Sequence, residues 1–420
     1  MKQKQGHAIE IILTILLATI TYIFVVHCID VQQDDYWGHA YIWVTKFTHE
    51  NLLQAWIELP HCLWHLSVLF FDKLFLVPRE PAAAMATCVF VLFAYFIVYW
   101  MILKITEKIG NKASSTYAAL VAFAFSVVQA IYIPWLDAGG PYIGSFSINP
   151  IHNPTQTCVR PFVLLCFCLV FDIWSKQKNT NYKGVFFKVE NGLKKYYIAL
   201  AVLLFLSTVA KPTFAEMFVP TVAFIMLGEL LSKLLKKNRD VKEYFSKCLY
   251  MLLCATPALL YICLQFVAFY IVGGGQASES SVVITEWFEI WGLYSENIFL
   301  SVLLAMAFPI FVIFIDAKYF LSDDMGRLAL VSYAVSFLEA SLLGETGARY
   351  THGNFIWPLM SGMLIVWIVS IMRLLVLERT KVETMTQKFL IDCAWVLFWL
   401  HVAFGIGFIL INICLPGAYL

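Results

Sequence analysis

Long apolar runs alternate along this chain with short polar connectors, and the runs are of membrane-crossing length. About 20 apolar residues cross a hydrocarbon core. On that measure spans are predicted over residues 8–28, 82–103, 117–135, 159–174, 196–211, 213–231, 248–271, 297–315, 328–343, 354–377 and 389–414. Eleven such spans make an all-α polytopic membrane bundle, read as one integral membrane domain over residues 1–420. Residues 30–80 break the pattern, being too apolar for a free loop and too interrupted for a clean span. Trp37, Tyr41, Val44 and Phe47 recur there at helical spacing, opposite His39, Lys46 and His49. Leu52, Leu53, Trp56 and Leu59 follow, and then the run from His61 to Phe71. These stretches predict interfacial helices within a first long loop, with Asp72, Lys73 and Arg79 at the headgroup level.

Composition agrees: 61% of the 420 residues are hydrophobic and 14% charged, outside the range of a soluble domain. The net charge of +1 hides an asymmetry that sets the topology. Lys2 and Lys4 precede the first span, so the positive-inside rule predicts a cytoplasmic N-terminus and, with an odd span count, an extracytoplasmic C-terminus. Of the 29 Lys and Arg, only Lys46, Lys73, Arg79, Arg160, Lys211 and Arg349 then fall outside. The total charge gives no sign of a nucleic-acid partner. The first span ends without a small-x-small cleavage site and reads as a retained anchor. The 11 Cys imply no disulfide framework, and the absence of an Asn-x-Ser/Thr sequon fits a bacterial plasma membrane.

The unusual polar residues gather in the outer connectors. Asp34 and Asp35 follow the first span; adjacent carboxylates can supply a general base or share a divalent cation such as Mg or Mn, while the plainer reading is a cap on the helix beginning at Tyr36. In the loop over residues 137–161, Tyr142, Asn149, His152, Asn153 and Arg160 suit sugar hydroxyls or a phosphate, against an alternative of helix caps and a snorkelling Arg. Lys211 is a nearly isolated cation in a tight outer turn, placed for a phosphate or for lipid headgroups, with Glu216 close behind as its expected partner. Three glycines at 273–275 open an acidic segment in which Trp287 and Trp291 could form a lid, although a solvated face explains the acids as well. Glu345, Arg349, Tyr350 and His352 cluster at another outer mouth; Arg349 could hold a phosphate or pair with Glu345. His401, deep in the last span, reads as packing. A transporter would instead carry midplane charges and related halves, and no repeat is visible.

With a basic start, one span, an Asp-Asp-Tyr-Trp entrance at residues 34–37 to a loop of interfacial helices, and about ten further spans, the chain resembles the C-type membrane glycosyltransferases (GT-C superfamily). The likeness covers nearly the whole chain, and Asp34 with Asp35 is its one local motif. It implies a polyprenyl-phosphate-linked hexose or pentose as donor, a glycan, lipid or protein as acceptor, and an extracytoplasmic site; with acceptor recognition resting on the membrane loops, a cell-envelope glycan or lipid-linked acceptor is expected over a folded protein. Carried onto these residues, Asp34 or Asp35 is the base, with inversion at the anomeric carbon. Lys211, Arg160, Arg349 and His352 are the phosphate-holding candidates in that order, and Asn149, His152, Asn153, Tyr142 and Glu345 are the sugar or acceptor contacts. The alternatives are a polysaccharide polymerase or ligase relying on a late loop, and a flippase or transporter of lipid-linked glycans.

Overall fold

The computed structural model describes residues 2–31, 34–49, 52–59, 61–133, 135, 148–149, 151–237, 240–272, 280–380 and 384–414; the side chains of residues 2–6, 34 and 49 lie outside that description. The helices in chain order are α1 (Lys2–Asp30), α2 (Asp34–Trp37), α3 (Val44–His49), α4 (Leu52–Glu58), α5 (Leu63–Phe75), α6 (Arg79–Lys108), α7 (Ser115–Val127), α8 (Pro154–Lys178), α9 (Lys194–Ala210), α10 (Thr213–Leu235), α11 (Val241–Phe266), α12 (Ile298–Ile315), α13 (Ala317–Ser322), α14 (Asp324–Leu342), α15 (Trp357–Arg379) and α16 (Met385–Cys414). Among the described residues, nine helices are long and apolar enough to cross a membrane. The architecture is an all-helical polytopic bundle. Its one described sheet is a pair of short antiparallel strands, β1 (Val282–Ile284) and β2 (Leu343–Glu345), with Val282 opposite Glu345.

All eleven predicted spans contain a helix, but α7 and α9 fall short of spanning length. For α7 the reason is visible. Asn149 donates through Nδ2 to the carbonyls of Phe125 (2.9 Å) and Val128 (2.8 Å), ending the helix where residues 117–135 were expected to continue. Residues 128–131 then run buried and non-helical, with their backbone groups taken up by neighbours. Gln129 N donates to the His401 carbonyl, His401 Nδ1 meets the Gln129 carbonyl at 2.7 Å, and Ile131 N donates to the Leu304 carbonyl. Irregular backbone at membrane depth is tolerable when protein supplies the missing partners. His401 is thus the packing residue its position suggested.

The nearly fully buried α8 and α15 form the centre of the bundle. Gly362 lets α15 approach α14 so closely that a Cβ there would meet Ser336 Oγ at 2.1 Å. Both central helices begin with Pro in the first turn, which suits an N-terminus because its backbone N–H is not needed there. They start at the same end of the bundle, beside the start of α10, since Gln156 of α8 contacts the Trp357 carbonyl and Thr213.

The first long loop is helical, as its spacing predicts, but its inner face differs. A π-helical turn over Gly38–Trp43 turns Tyr36, Ala40, Val44 and Phe47 inward and leaves Tyr41 exposed. A π turn holds more than the usual residues, so the apolar stripe drifts from the regular period. The same drift brings His39, expected on the polar face, against His65 of α5.

Candidate functional site

Asn153 organises the site. It is the N-cap of α8, and its Oδ1 accepts from Gln156 N at 2.8 Å. That bond fixes the amide, because the opposite orientation would set NH2 against N–H. The amide nitrogen must therefore be the donor on the other side, and it lies 2.7 Å from Asp35 Oδ2. Lys211 Nζ donates to the same capping oxygen at 3.2 Å and sits 4.1 Å from the centre of the Trp357 ring. One capping side chain thus joins the expected base to the expected phosphate-holding cation.

Lys211 reaches this place because α9 ends at Ala210 and α10 begins at Thr213, so its extended backbone forms most of the connection. It is only 8% exposed. Burial pulls its ammonium down from the ordinary value to about 7, against the opposing pull of Asp35 and Glu216. Among the described residues no carboxylate is within ion-pair distance of its Nζ, so Glu216 is a neighbour in the field and not the direct partner expected. Below the cap, Gln156 donates to the Trp357 carbonyl (3.3 Å) and Ser361 Oγ (3.2 Å) and accepts from Thr213 Oγ1 (3.3 Å). It clamps together the N-termini of α8, α10 and α15, whose positive dipole ends face the site.

The first loop closes the other side. Tyr36 OH donates to the Ile151 carbonyl at 2.8 Å, docking α2 against the start of α8. His39 Nδ1 and His65 Nε2 are 2.8 Å apart. Burial lowers His39 to about 4, with Asp35 opposing and Lys211 reinforcing; burial, then Lys211, His39 and Arg349 hold His61 well below its ordinary value. His65 and His152 are likewise held low, by burial first. The His152 ring lies 6.3 Å from that of Trp357. Neutral imidazoles thus lie near the Asp35 carboxylate and the Lys211 ammonium.

Other expected residues fall differently. Glu345 is buried, and its oxygens take Arg349 Nε at 2.7 Å together with Tyr270 OH and Asn354 Nδ2. Arg349 also covers the Phe269 ring at 4.5 Å. The internal ion pair foreseen as the plainer reading is present, and the pair touches the site only through its field on His61 and Glu216. His352 is exposed. Arg160 is buried and lies seven residues beyond the cap, roughly 10 Å down the helix axis by the rise of an α-helix. The structure does not bring it to Lys211. Asn149 is spent on α7: both of its amide hydrogens go to backbone carbonyls, leaving none for a sugar. Tyr142 and the Asp34 side chain lie outside the described residues. Trp291 is fully buried against Phe288 and Phe337, and β1 and Phe288 N are tied to residues 341–345, so the segment after Ser280 is clamped, against the reading in which Trp287 and Trp291 form a lid.

Among the described residues no three His, Cys, Asp or Glu side chains are placed to hold a metal ion. An apolar groove of about 340 Å³ opens between α5 and α6, lined by Leu66, Phe70, Phe71, Ala86, Val89 and Phe90. Reasoning from sequence missed Gln156, Trp357, His39 and His65. Gln156 was detectable as the residue three after an Asn-Pro helix start, whereas the histidines depend on the π turn. Comparisons with protein-family models, with curated proteins and with solved structures find no match.

Proposed function

We propose that this chain is an extracytoplasmic membrane glycosyltransferase that moves a sugar from a polyprenyl-phosphate donor to a cell-envelope glycan or lipid-linked acceptor. The observation that carries this reading is the Asp35–Asn153–Lys211 arrangement at the mouth of the bundle. Asp35 is the base: it takes the proton of the acceptor hydroxyl as the oxygen attacks the anomeric carbon and the lipid phosphate leaves from the opposite face. Asn153 orients the Asp35 carboxylate and keeps the ammonium from collapsing onto it. Lys211, on the ring of Trp357 and beside three helix N-termini, meets the phosphate charge. The groove between α5 and α6 offers apolar surface to a prenyl chain.

Lys-poor connectors at this end of the bundle support its extracytoplasmic placement. A polymerase or ligase relying on a late loop is less well supported, because Arg349 is bound to Glu345 and His352 points to the surface. The test uses the full chain in vesicles with radiolabelled polyprenyl-phosphate sugars and a lipid-linked acceptor. Transfer is expected, and Asp35→Asn should lower kcat by about 10²–10⁴-fold, the range for a lost general base. Transfer undiminished in Asp35→Asn, or labelled lipid crossing the bilayer with no glycosidic bond formed, would overturn the reading.

A further inference from the structure

The contact between His39 and His65 is informative because it fixes where protons sit. A nitrogen–nitrogen distance of 2.8 Å is a hydrogen bond and needs one proton between the two rings. Both rings are neutral near pH 7, since burial holds each well below the ordinary imidazole value. A neutral ring carries a single proton. His65 is completely buried, and its Nδ1 has no hydrogen-bond partner. Were its proton on Nδ1, the protein would bury an orphaned N–H, which is rarer and costlier than an unfilled acceptor. The proton therefore belongs on His65 Nε2, where it is donated to His39 Nδ1. His39 must then carry its own proton on Nε2. The aromatic surroundings hold both rings in this relation, with Trp64 edge-on to each and Phe47 stacked on His65.

His39 is the second residue of the π turn that follows α2, and its field is shaped by Asp35 of α2 and by Lys211 beyond α9. His39 thus lies within the electrostatic reach of both Asp35 and Lys211, the two side chains that Asn153 joins, and its Nδ1 side is taken by His65. We propose that His39, fixed by His65 as the Nε2–H tautomer, is a neutral hydrogen-bond donor to the phosphate oxygen departing from the anomeric carbon. This rests on the lipid-phosphate reading above and adds a role for a side chain that reading does not use. In the step, the acceptor O–H bond breaks with its proton going to Asp35, and the new bond forms between that oxygen and the anomeric carbon. The old carbon–oxygen bond breaks with its electron pair remaining on phosphate. His39 transfers no proton; its bond strengthens as charge develops on that oxygen. His65 acts through His39 and is a positioning residue.

The test is nitrogen NMR of the full chain labelled with ¹⁵N-histidine, in micelles at pH 7, with a polyprenyl monophosphate as probe and His39→Asn for assignment. His39 is expected as the Nε2–H tautomer, with that resonance moving when the probe binds. His65→Gln, whose amide can still donate to Nδ1, should keep the tautomer. His65→Leu should lose it and lower kcat by about tenfold or more at unchanged donor KM, as for a weakened oxyanion donor. An Nδ1–H tautomer overturns the proposal. So does an unmoved His39 resonance while the phosphorus spectrum reports binding, and that outcome leaves the functional reading standing. No binding of the probe at all overturns both.

Discussion

The two ends of the bundle treat charge in opposite ways. At the lysine-rich end, Glu229 of α10 accepts from Tyr244 OH (2.6 Å) and Arg327 Nη2 (2.9 Å) and pairs with Lys178 at 2.6 Å, while Asp324 takes both cations at 2.8 Å. Asp316 there holds Arg373. At the site end, Lys211 is buried deeper than any of these cations and has an amide oxygen and an indole ring in place of a carboxylate. A buried ion pair that satisfies its own members has little left to offer a ligand. A buried cation held by neutral groups remains available to an arriving anion, and the fold bears the cost of keeping it.

The contrast predicts opposite responses to neutralisation. Lys211→Met should lower transfer by about 10²–10³-fold, the scale of a lost oxyanion donor, while leaving the melting temperature in detergent unchanged or raised. Glu229→Gln should do the reverse. It leaves Lys178 and Arg327 sharing Asp324 alone in a half-buried network, so a loss of about 1–3 kcal/mol is expected, between the surface and fully buried figures. Its kcat per folded molecule should stay within about twofold, the ordinary scatter for a change remote from chemistry. If Lys211→Met melts far below the parent and Glu229→Gln does not, the assignment of function to one end and stability to the other is wrong.

The pH dependence sharpens the same comparison with a smaller effect. In the free protein burial pulls the Lys211 ammonium down to about 7, and an anion bound beside it would raise that value. A phosphodiester donor stays singly charged through this range, so its affinity follows the ammonium alone. Binding should be tightest below pH 7 and weaken by about tenfold per pH unit above it, measured by calorimetry with a non-transferable donor analogue. Stability moves the other way. The unfolded chain keeps its lysine protonated to about pH 10.4, so it binds the extra proton between 7 and that value, and the ligand-free fold gains stability as pH rises. Lys211→Arg should flatten both slopes, because guanidinium stays charged.

The bundle and its first loop were legible because hydrophobic length and the inside–outside charge bias are local properties of the sequence. Asp35, Asn153 and Lys211 stood out for a related reason: each is polar at a span's end where lipid gives it no use. Their union through one amide was not legible, since it depends on three helix termini meeting in space. His39 was assigned to a polar face because the 3.6-residue period was extended through what is a π turn. Arg160 carries the right charge at the end of a polar loop, and charge says nothing of depth along α8. Glu345 and Arg349 were read correctly as neighbours, but spacing could not tell a ligand fork from an internal pair.

Asn149 gives the smallest effect and the cleanest check on that lesson, because it lies only four residues from Asn153 and has the same side chain. Asn153 joins a cap to the site, whereas Asn149 gives both amide hydrogens to the end of α7. Asn149→Ala should therefore cost about 1–2 kcal/mol of stability, as for two lost backbone bonds partly replaced by local rearrangement, with KM for donor and acceptor changed by less than about threefold. Asn153→Ala should show the other pattern, losing turnover beyond what its cap explains. Should Asn149→Ala raise KM strongly while melting like the parent, its amide reaches a sugar after all, and the short α7 would have to be understood as held by the buried segment from Val128 to Ile131 and not by this side chain.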